Sequence, residues 1–498
     1  MVDVVIRGGR VVDAARHVAE PADILIDGDQ IATVGAPGIT APADARVIDA
    51  RGLLMMPGLV NAHTHSHGNL GKGTGDRWTL ELLLNAGPSI SGHRTVEDKY
   101  LSALIGAVEM VRKGCTAAYD LMVEFPVPSP DGLDAVARAY ADVGMRAVVA
   151  PMIADRTFFQ AIPGLFDAVP GELRSGVERL ALAPWRETVA AVRKVLDGWK
   201  HDRSRIAPAV APTIPLHCSD EFIVGCRDLA REHDVGIHMH VAESKVQAVA
   251  GVQRYGKTLT AHIDSLGLLG PRFTAAHAIW LDDDDIRRLG DRGASAAHNP
   301  GSNMRLGSGI ARVREMLDRG VNVGVGTDGA NCSDNQNVFE AMRLASFASK
   351  VQGPDVSRWL TTDQVLTMTT AGGARALGLG DRIGRIAAGY QADIVFLDTA
   401  HVNYIPLNDP TNQIVHVEDG TGVHSVMIGG RMVVEAGRVT TVDTSRLSRL
   451  AEAAMERLRG ANAEARRLAT ALEPVVNGFC HTLATSPYPV DRYGSRQS

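Results

Sequence analysis

The chain has 498 residues, 45% hydrophobic and 22% charged, with a formal net charge of −6. This is the composition of an ordinary globular protein, long enough for about two to three domains or for one large barrel with a smaller companion. The mild negative balance gives no case for nucleic-acid binding or for a polybasic membrane patch.

Residues 1–57 read as short strands, at 4–7, 10–12, 23–26, 30–34 and 46–48, punctuated by Gly-Gly, Gly-Asp and Pro-rich turns. From 58 to 375 the texture changes. Eight apolar strands, at 58–62, 116–119, 146–150, 206–211, 235–240, 273–277, 294–298 and 321–326, alternate with helical stretches such as 101–112, 134–141 and 220–232. Eight such units predict an α/β fold, a (β/α)8 TIM-like barrel. Strand texture returns at 393–397, 423–428 and 431–434, so a small β-sandwich domain is expected from both chain ends, 1–57 with 376–442. The last segment, 443–498, reads as a helix over 445–470 and a tail from His481 that is poorly ordered or draped over a neighbour.

The five cysteines are scattered with no C-x-x-C pair, which argues against a disulfide framework and a thiolate metal site. No basic, apolar leader opens the sequence and no apolar run has membrane-spanning length, so a cytoplasmic location is expected.

Chemistry gathers at the strand ends. Alternate residues of a strand share a side, so His63 and His65 of His63-Thr-His65 can reach one cation. His238-Met-His240, His277, His298 and Thr327-Asp328-Gly329 end four other strands. A lone histidine there is more often a hydrogen-bonded core residue. A set of them at the carboxyl ends of one barrel, where barrel active sites lie, reverses that reading. Imidazoles with one carboxylate suit Zn2+, and Fe2+ or Mn2+ tolerate the same set. The pattern reads as a metal-dependent hydrolase of a small molecule.

Pro57-Gly-Leu-Val-Asn-Ala-His-Thr-His65, His240-Val-Ala-Glu243, Ala276-His277, His298-Asn-Pro-Gly-Ser-Asn303 and Gly326-Thr-Asp328-Gly329 resemble the amidohydrolase superfamily. More narrowly, they are similar to its methylthioadenosine/S-adenosylhomocysteine deaminases and triazine hydrolases, over roughly residues 1–440 and in family order. The resemblance implies a metal on His63, His65, His240 and Asp328, His277 against the attacking water or developing oxyanion, and Glu243 as proton shuttle. Binuclear members place a carboxylated lysine at the end of strand four. Here 206–213 contains no lysine, so one divalent ion is expected.

Chemistry supports those roles. Asp328 is in reach of the activated water and can take its proton, and Glu243, just past a strand end, can protonate a departing nitrogen. The bland alternative for Glu243 is a solvated loop acid.

Other signals are weaker. Gly324-x-Gly326-x-x-Gly329 matches a dinucleotide fingerprint only formally, because Asp328 would repel a pyrophosphate. Asp282–Asp285 reads as a helix cap. His67 reads as loop lining. His238 is balanced between a hydrogen bond in the barrel mouth and contact with substrate, and His298 and Asn303 are expected to line the pocket. Similar nucleoside deaminases carry a substrate-holding histidine after strand four. Here Thr213 takes that position, and His217 lies four residues on, which weakens an adenosine-type reading. The glycine-rich segment 68–78 could act as a wall or lid. Trp78, Trp185 and Trp280 could stack on a flat ring, although core packing is the commoner fate.

The expected reaction is hydrolysis of a C–N bond in a planar heterocyclic or aryl compound, as deamination or as amide- or carbamate-type cleavage. Nucleoside deamination is the alternative and triazine dechlorination a minor variant. A non-catalytic scaffold of this fold would have lost ligands that are present here. A polynucleotide deaminase would need a His-x-Glu and Pro-Cys-x-x-Cys set that is missing. A homo-oligomer is expected, a dimer before other states.

Overall fold

The computed structural model describes residues 2–494. Both chain ends meet in one nine-stranded sheet. Val2–Asp13 pairs antiparallel with Val18–Asp27 and parallel with Leu53–Pro57, and Leu53–Pro57 pairs antiparallel with Ile394–Asp398. Ile6, Ile24, Ile26, Met55, Ile394 and Phe396 pack together as its core. The strand Leu53–Pro57 is absent from the sequence reading. Leu54, Met55 and Met56 are all buried, so this central strand shows an unbroken apolar run and no alternation.

Eight parallel strands form the barrel: Leu59–His65, Cys115–Val123, Arg146–Ile153, Ile206–Pro208 with Ala211–Pro212, Ile237–Val241, Phe273–His277, Ser295–His298, and Asn322–Val325 continued by Asp328–Gly329. A bridge between Val210 and Ile237 joins strands four and five. Asp328 and Gly329 pair with Thr64 and His65, so the last strand meets the first. The helices Val96–Arg112, Pro130–Val143 and Asp220–Glu232 lie at or around the expected positions.

Glycines allow the eighth strand to approach the first. A Cβ on Gly324 would stand 2.6 Å from the Ala62 Cβ, and one on Gly326 2.9 Å from the His63 Cβ. Close packing of barrel strands, not phosphate binding, therefore explains the Gly-x-Gly spacing. The Asp282–Asp285 run behaves as a capping box on the helix Asp283–Asp291.

The barrel is tied to the sheet by a buried ion pair. Arg146, at the start of strand three, donates to Asp393 Oδ2 at 2.9 Å and to Gln391 Oε1 at 2.7 Å. The Gly429 N–H donates to the other Asp393 oxygen at 2.7 Å.

The C-terminal segment departs from expectation. Two helices, Leu447–Ala461 and Ala463–Ala484, replace the single one, and the second runs past His481. The tail lies on its own barrel. Arg492 Nε donates to the Ile279 carbonyl at 3.1 Å, and the Ile310 N–H donates to the Arg492 carbonyl at 2.8 Å. Among the described residues all five cysteines are buried and free, and no helix is long and apolar enough to cross a membrane.

Candidate metal centre and catalytic cavity

Val60 packs with Ala117, Tyr119 and Ala209 in an apolar cluster, and Ala62 packs against Ala297. Strict alternation would aim His63 and His65 the other way. A register irregularity between Asn61 and Thr64 resets the parity, and a bulge of this kind re-aims the side chains that follow it. His63 and His65 then meet the ends of strands five, six and eight.

Non-glycine residues with left-handed backbone cluster there: φ is +49° at Ala242, +66° at His277 and +61° at Asp328. Such residues cost on the order of 1–3 kcal/mol each and persist where the surroundings over-determine them. The bend at Ala242 turns Glu243 inward, so it is 2% exposed rather than a solvated loop acid.

Candidate ligand atoms of His63, His65 and His240 all lie within 4.8 Å of one another, as do those of His63, His277 and Asp328. Asp328 Oδ1 is 3.4 Å from His63 Nε2 and 3.2 Å from His65 Nε2. His277 Nε2 is 3.7 Å from Asp328 Oδ2 and 3.6 Å from Glu243 Oε2.

The proton positions show what this cluster can hold. His65 Nδ1 is 2.7 Å from the Leu121 carbonyl, and His240 Nδ1 is 2.8 Å from the Thr213 carbonyl. A carbonyl only accepts, so both Nδ1 atoms carry protons, and in the neutral rings both Nε2 atoms present lone pairs. Those two Nε2 atoms are 3.2 Å apart, and bare nitrogens at that distance repel unless positive charge lies between them. His63 Nε2 and His277 Nε2 are buried with no hydrogen-bond partner. The donor set therefore fits one divalent cation with nitrogen and carboxylate ligands.

The electrostatics divide the imidazoles. Burial, aided by neighbouring imidazoles, holds the His240 ring well below the usual histidine range, and burial pushes His63 down to about 3. Burial also opposes charge on His65 and Asp328, but their mutual attraction wins, raising His65 and holding Asp328 far below the usual carboxylate range. Glu243 moves the other way. Burial first, then Asp328 and Glu81, drive its carboxyl well above the usual range, which favours its protonated form beside an ionised Asp328.

A cavity of about 240 Å3 opens from this centre, lined by His65, His67, Thr213, His217, His240, Glu243, His277 and Asp328 together with apolar side chains and further polar ones that include Asn85, Arg156 and Asn331. His217 is buried, and its ring lies 6.4 Å from that of Phe158. Burial pushes its imidazole down to about 3, leaving a neutral donor and acceptor facing the cavity.

Four of the pocket candidates take other places, His238 by the first of its two readings. Asn303 stands behind His277, its Oδ1 2.8 Å from His277 Nδ1, which makes that nitrogen the donor. His238 Nε2 is 3.2 Å from His63 Nδ1, and its ring meets Tyr119 edge-on. His298 is buried with Nδ1 unpartnered and is outside the cavity lining. Trp78 and the 70–75 loop line a separate cleft against Leu458 and Arg466. Trp280 is fully buried, its Nε1 donating to the Ser308 carbonyl at 2.7 Å, and Trp185 lies under Arg186.

Other contributors escaped the sequence reading. Glu81 accepts a 2.6 Å bond from Ser244 Oγ and raises Glu243. The Leu121 and Thr213 carbonyls fix two imidazoles, but a backbone acceptor leaves no mark in a sequence.

Residues 54–433 match the model of the Amidohydrolase family. The chain is 34% identical to a 5'-deoxyadenosine deaminase of Methanothermobacter thermautotrophicus, over 92% of this chain and 99% of the relative. It is 33% identical to a 5-methylthioadenosine/S-adenosylhomocysteine deaminase of Syntrophobacter fumaroxidans, over 88% of this chain and 92% of the relative. Among solved structures, an adenosine deaminase from Xanthomonas campestris with bound zinc superposes with a TM-score of 0.80 at 29% identity, covering 92% of this chain and 99% of that one. An atrazine chlorohydrolase from Arthrobacter aurescens complexed with zinc gives 0.80 at 27%, covering 91% of this chain and 100% of that one.

Proposed function

The chain belongs to the amidohydrolase family, and from that premise we propose that it removes ammonia from an amino-substituted planar ring bound in the cavity. The observation that carries this reading is the buried Glu243 carboxyl, 3.6 Å from His277 and beside the imidazole–Asp328 cluster, where burial pushes it well above the usual carboxylate range. Replacing an amino group by oxygen needs a proton delivered to a departing nitrogen and a base for the incoming water. Two carboxyls pushed in opposite directions supply both.

His63, His65, His240 and Asp328 would hold a single divalent ion, zinc before Fe2+ or Mn2+. A bound ion of this kind lowers the pKa of water to about 7 and supplies Lewis-acid charge. His277, with Nδ1–H committed to Asn303, offers Nε2 to accept a hydrogen bond from the attacking water and orient it. Asp328 takes the proton that water loses as the C–O bond forms. Glu243 gives its proton to the amino nitrogen as the C–N bond breaks, and ammonia leaves. Transfer of the Asp328 proton to Glu243 restores the starting state. His217 and Thr213 are the polar groups that would grip the ring.

Support for deamination also comes from the relatives, named for removing ammonia from 5'-deoxyadenosine and from methylthioadenosine or S-adenosylhomocysteine. A cytoplasmic homodimer completes the proposal. The test is a screen of zinc-loaded protein with aminated heterocycles, nucleosides, aryl amides, carbamates and chlorotriazines, detecting ammonia, amine, acid and chloride separately. Ammonia from aminated rings is expected. Acid and amine from amides alone, or chloride alone, would overturn the reading.

A further inference from the structure

Resting on the reading that His277 and Glu243 act on one substrate, we infer that Arg492 in the C-terminal tail is a positioning residue for that pair. It acts through the loop after strand six. Residues 278–281 belong neither to the strand Phe273–His277 nor to the helix Asp283–Asp291, so no regular ladder fixes this loop. The tail supplies the missing bonds. Arg492 Nε donates to the Ile279 carbonyl at 3.1 Å and Nη2 donates to the Leu281 carbonyl, while the Tyr488 hydroxyl donates to the Trp280 carbonyl between them at 3.4 Å. Three consecutive carbonyls of the loop thus take donors from the tail.

The other edge of the loop leads into the site. The Ile279 and Trp280 N–H groups both donate to the Ala242 carbonyl, at 3.3 and 2.9 Å. Ala242 is the left-handed bend just before Glu243, and His277 is the last residue before the loop. A displaced loop would therefore move both sides of the 3.6 Å contact between His277 and Glu243. Arg492 is itself held. It is 8% exposed, its third nitrogen donates to the Asp491 carbonyl at 3.1 Å, and its own carbonyl accepts from the Ile310 N–H at 2.8 Å. Tyr493 meets the Trp280 ring edge-on at 5.0 Å. A guanidinium carries its donors in a rigid plane and can span two carbonyls, which the single point of a lysine ammonium cannot. No tail residue lines the catalytic cavity, so Arg492 acts on the chemistry without touching substrate.

The test compares the zinc-loaded full chain with its Arg492→Ala variant, in ammonia release from 5'-deoxyadenosine and in amide hydrogen exchange resolved by segment. A displacement of about 1 Å at a reacting pair can cost about 10²-fold, so kcat is expected to fall by about ten- to a hundredfold, with KM within about threefold and zinc content unchanged. Exchange over 278–281 and 242–245 should quicken by about tenfold or more, while the strands Val2–Asp13 and Val18–Asp27 keep their protection. Millimolar ethylguanidinium should restore part of the lost kcat, and Arg492→Lys should remain low. A variant kcat within about twofold of the parent's, or unchanged exchange in the two segments, overturns the inference. So does a loss of kcat that accompanies faster exchange throughout the chain and resists rescue, because Arg492 would then serve stability alone. If the parent chain releases no ammonia from this probe or any aminated ring, deamination itself fails, and the exchange measurement still decides whether the tail holds this loop.

Discussion

His65 and His240 each have one nitrogen fixed by a carbonyl and the other turned toward its neighbour, 3.2 Å away. This arrangement suits a shared cation, with the Asp328 carboxylate 3.2 Å from His65 Nε2. Asp328→Asn removes the only carboxylate in that ligand set. The expected result is loss of turnover and weakened metal retention, read by activity and by metal analysis of the same sample; full activity would take Asp328 out of the chemistry. Glu243→Gln keeps the shape and removes the transferable proton, so metal content should hold while kcat falls by roughly 10²–10⁴. Unchanged kcat would place the proton shuttle elsewhere. The residues of this cluster were legible because each ends an apolar strand run, and because two histidines at i and i+2 share a side. His298 and Asn303 lie outside the cavity lining, and His238 follows its hydrogen-bonding reading, because a sequence shows which residues are near a strand end, not how deep they lie. The register irregularity at Asn61–Thr64 and the bend at Ala242 carry no sequence signature.

At the scale of elements, the first turn of the helix Asp283–Asp291 and the start of strand three each make a prediction. Asp285, in the capping box, is pushed up to about 7, mainly by burial, whereas an unfolded aspartate titrates near 4. The folded chain thus binds this proton more tightly than the unfolded one. The group's contribution to stability is complete below about pH 4 and is lost as pH rises through about 7, by on the order of 2–4 kcal/mol. Asp285→Asn should flatten that slope in denaturant melts taken on either side of the window, and an unaltered slope would contradict the assignment. Arg146 is 2% exposed and faces Asp393 across the junction between barrel and sheet. Arg146→Ala would leave a buried carboxylate without its cation, a loss of about 3–5 kcal/mol. A shift in denaturation midpoint equivalent to less than about 1 kcal/mol would show that the junction does not depend on the pair. Neither partner was visible in advance, since Arg146 opens a barrel strand and Asp393 lies 247 residues further on.

Over the whole molecule, eight strand runs separated by helical stretches were enough to read the barrel, because a parallel sheet covered on both faces writes itself as repeated apolar segments. A C-terminal helix over 445–470 was legible, but its division into two, its run past His481 and the docking of the tail on its own barrel were not. The helix Ala463–Ala484 packs on Leu80–Ser91 and Lys245–Tyr255, and the tail bonds through Arg492 to the backbone of Ile279 and Ile310, all distant in sequence. The cavity joins helix, loop and strand-end residues from across the barrel, so its lining also appears only in three dimensions. The central claim is that this fold gathers side chains from strands one, five and eight around a single ion. It is tested most directly by an anomalous-diffraction map of the zinc-loaded crystal. The account predicts one peak per chain, at about 2.0–2.2 Å from Nε2 of His63, His65 and His240 and from an Asp328 oxygen. Two peaks in the barrel mouth, or one held by other residues, would contradict it.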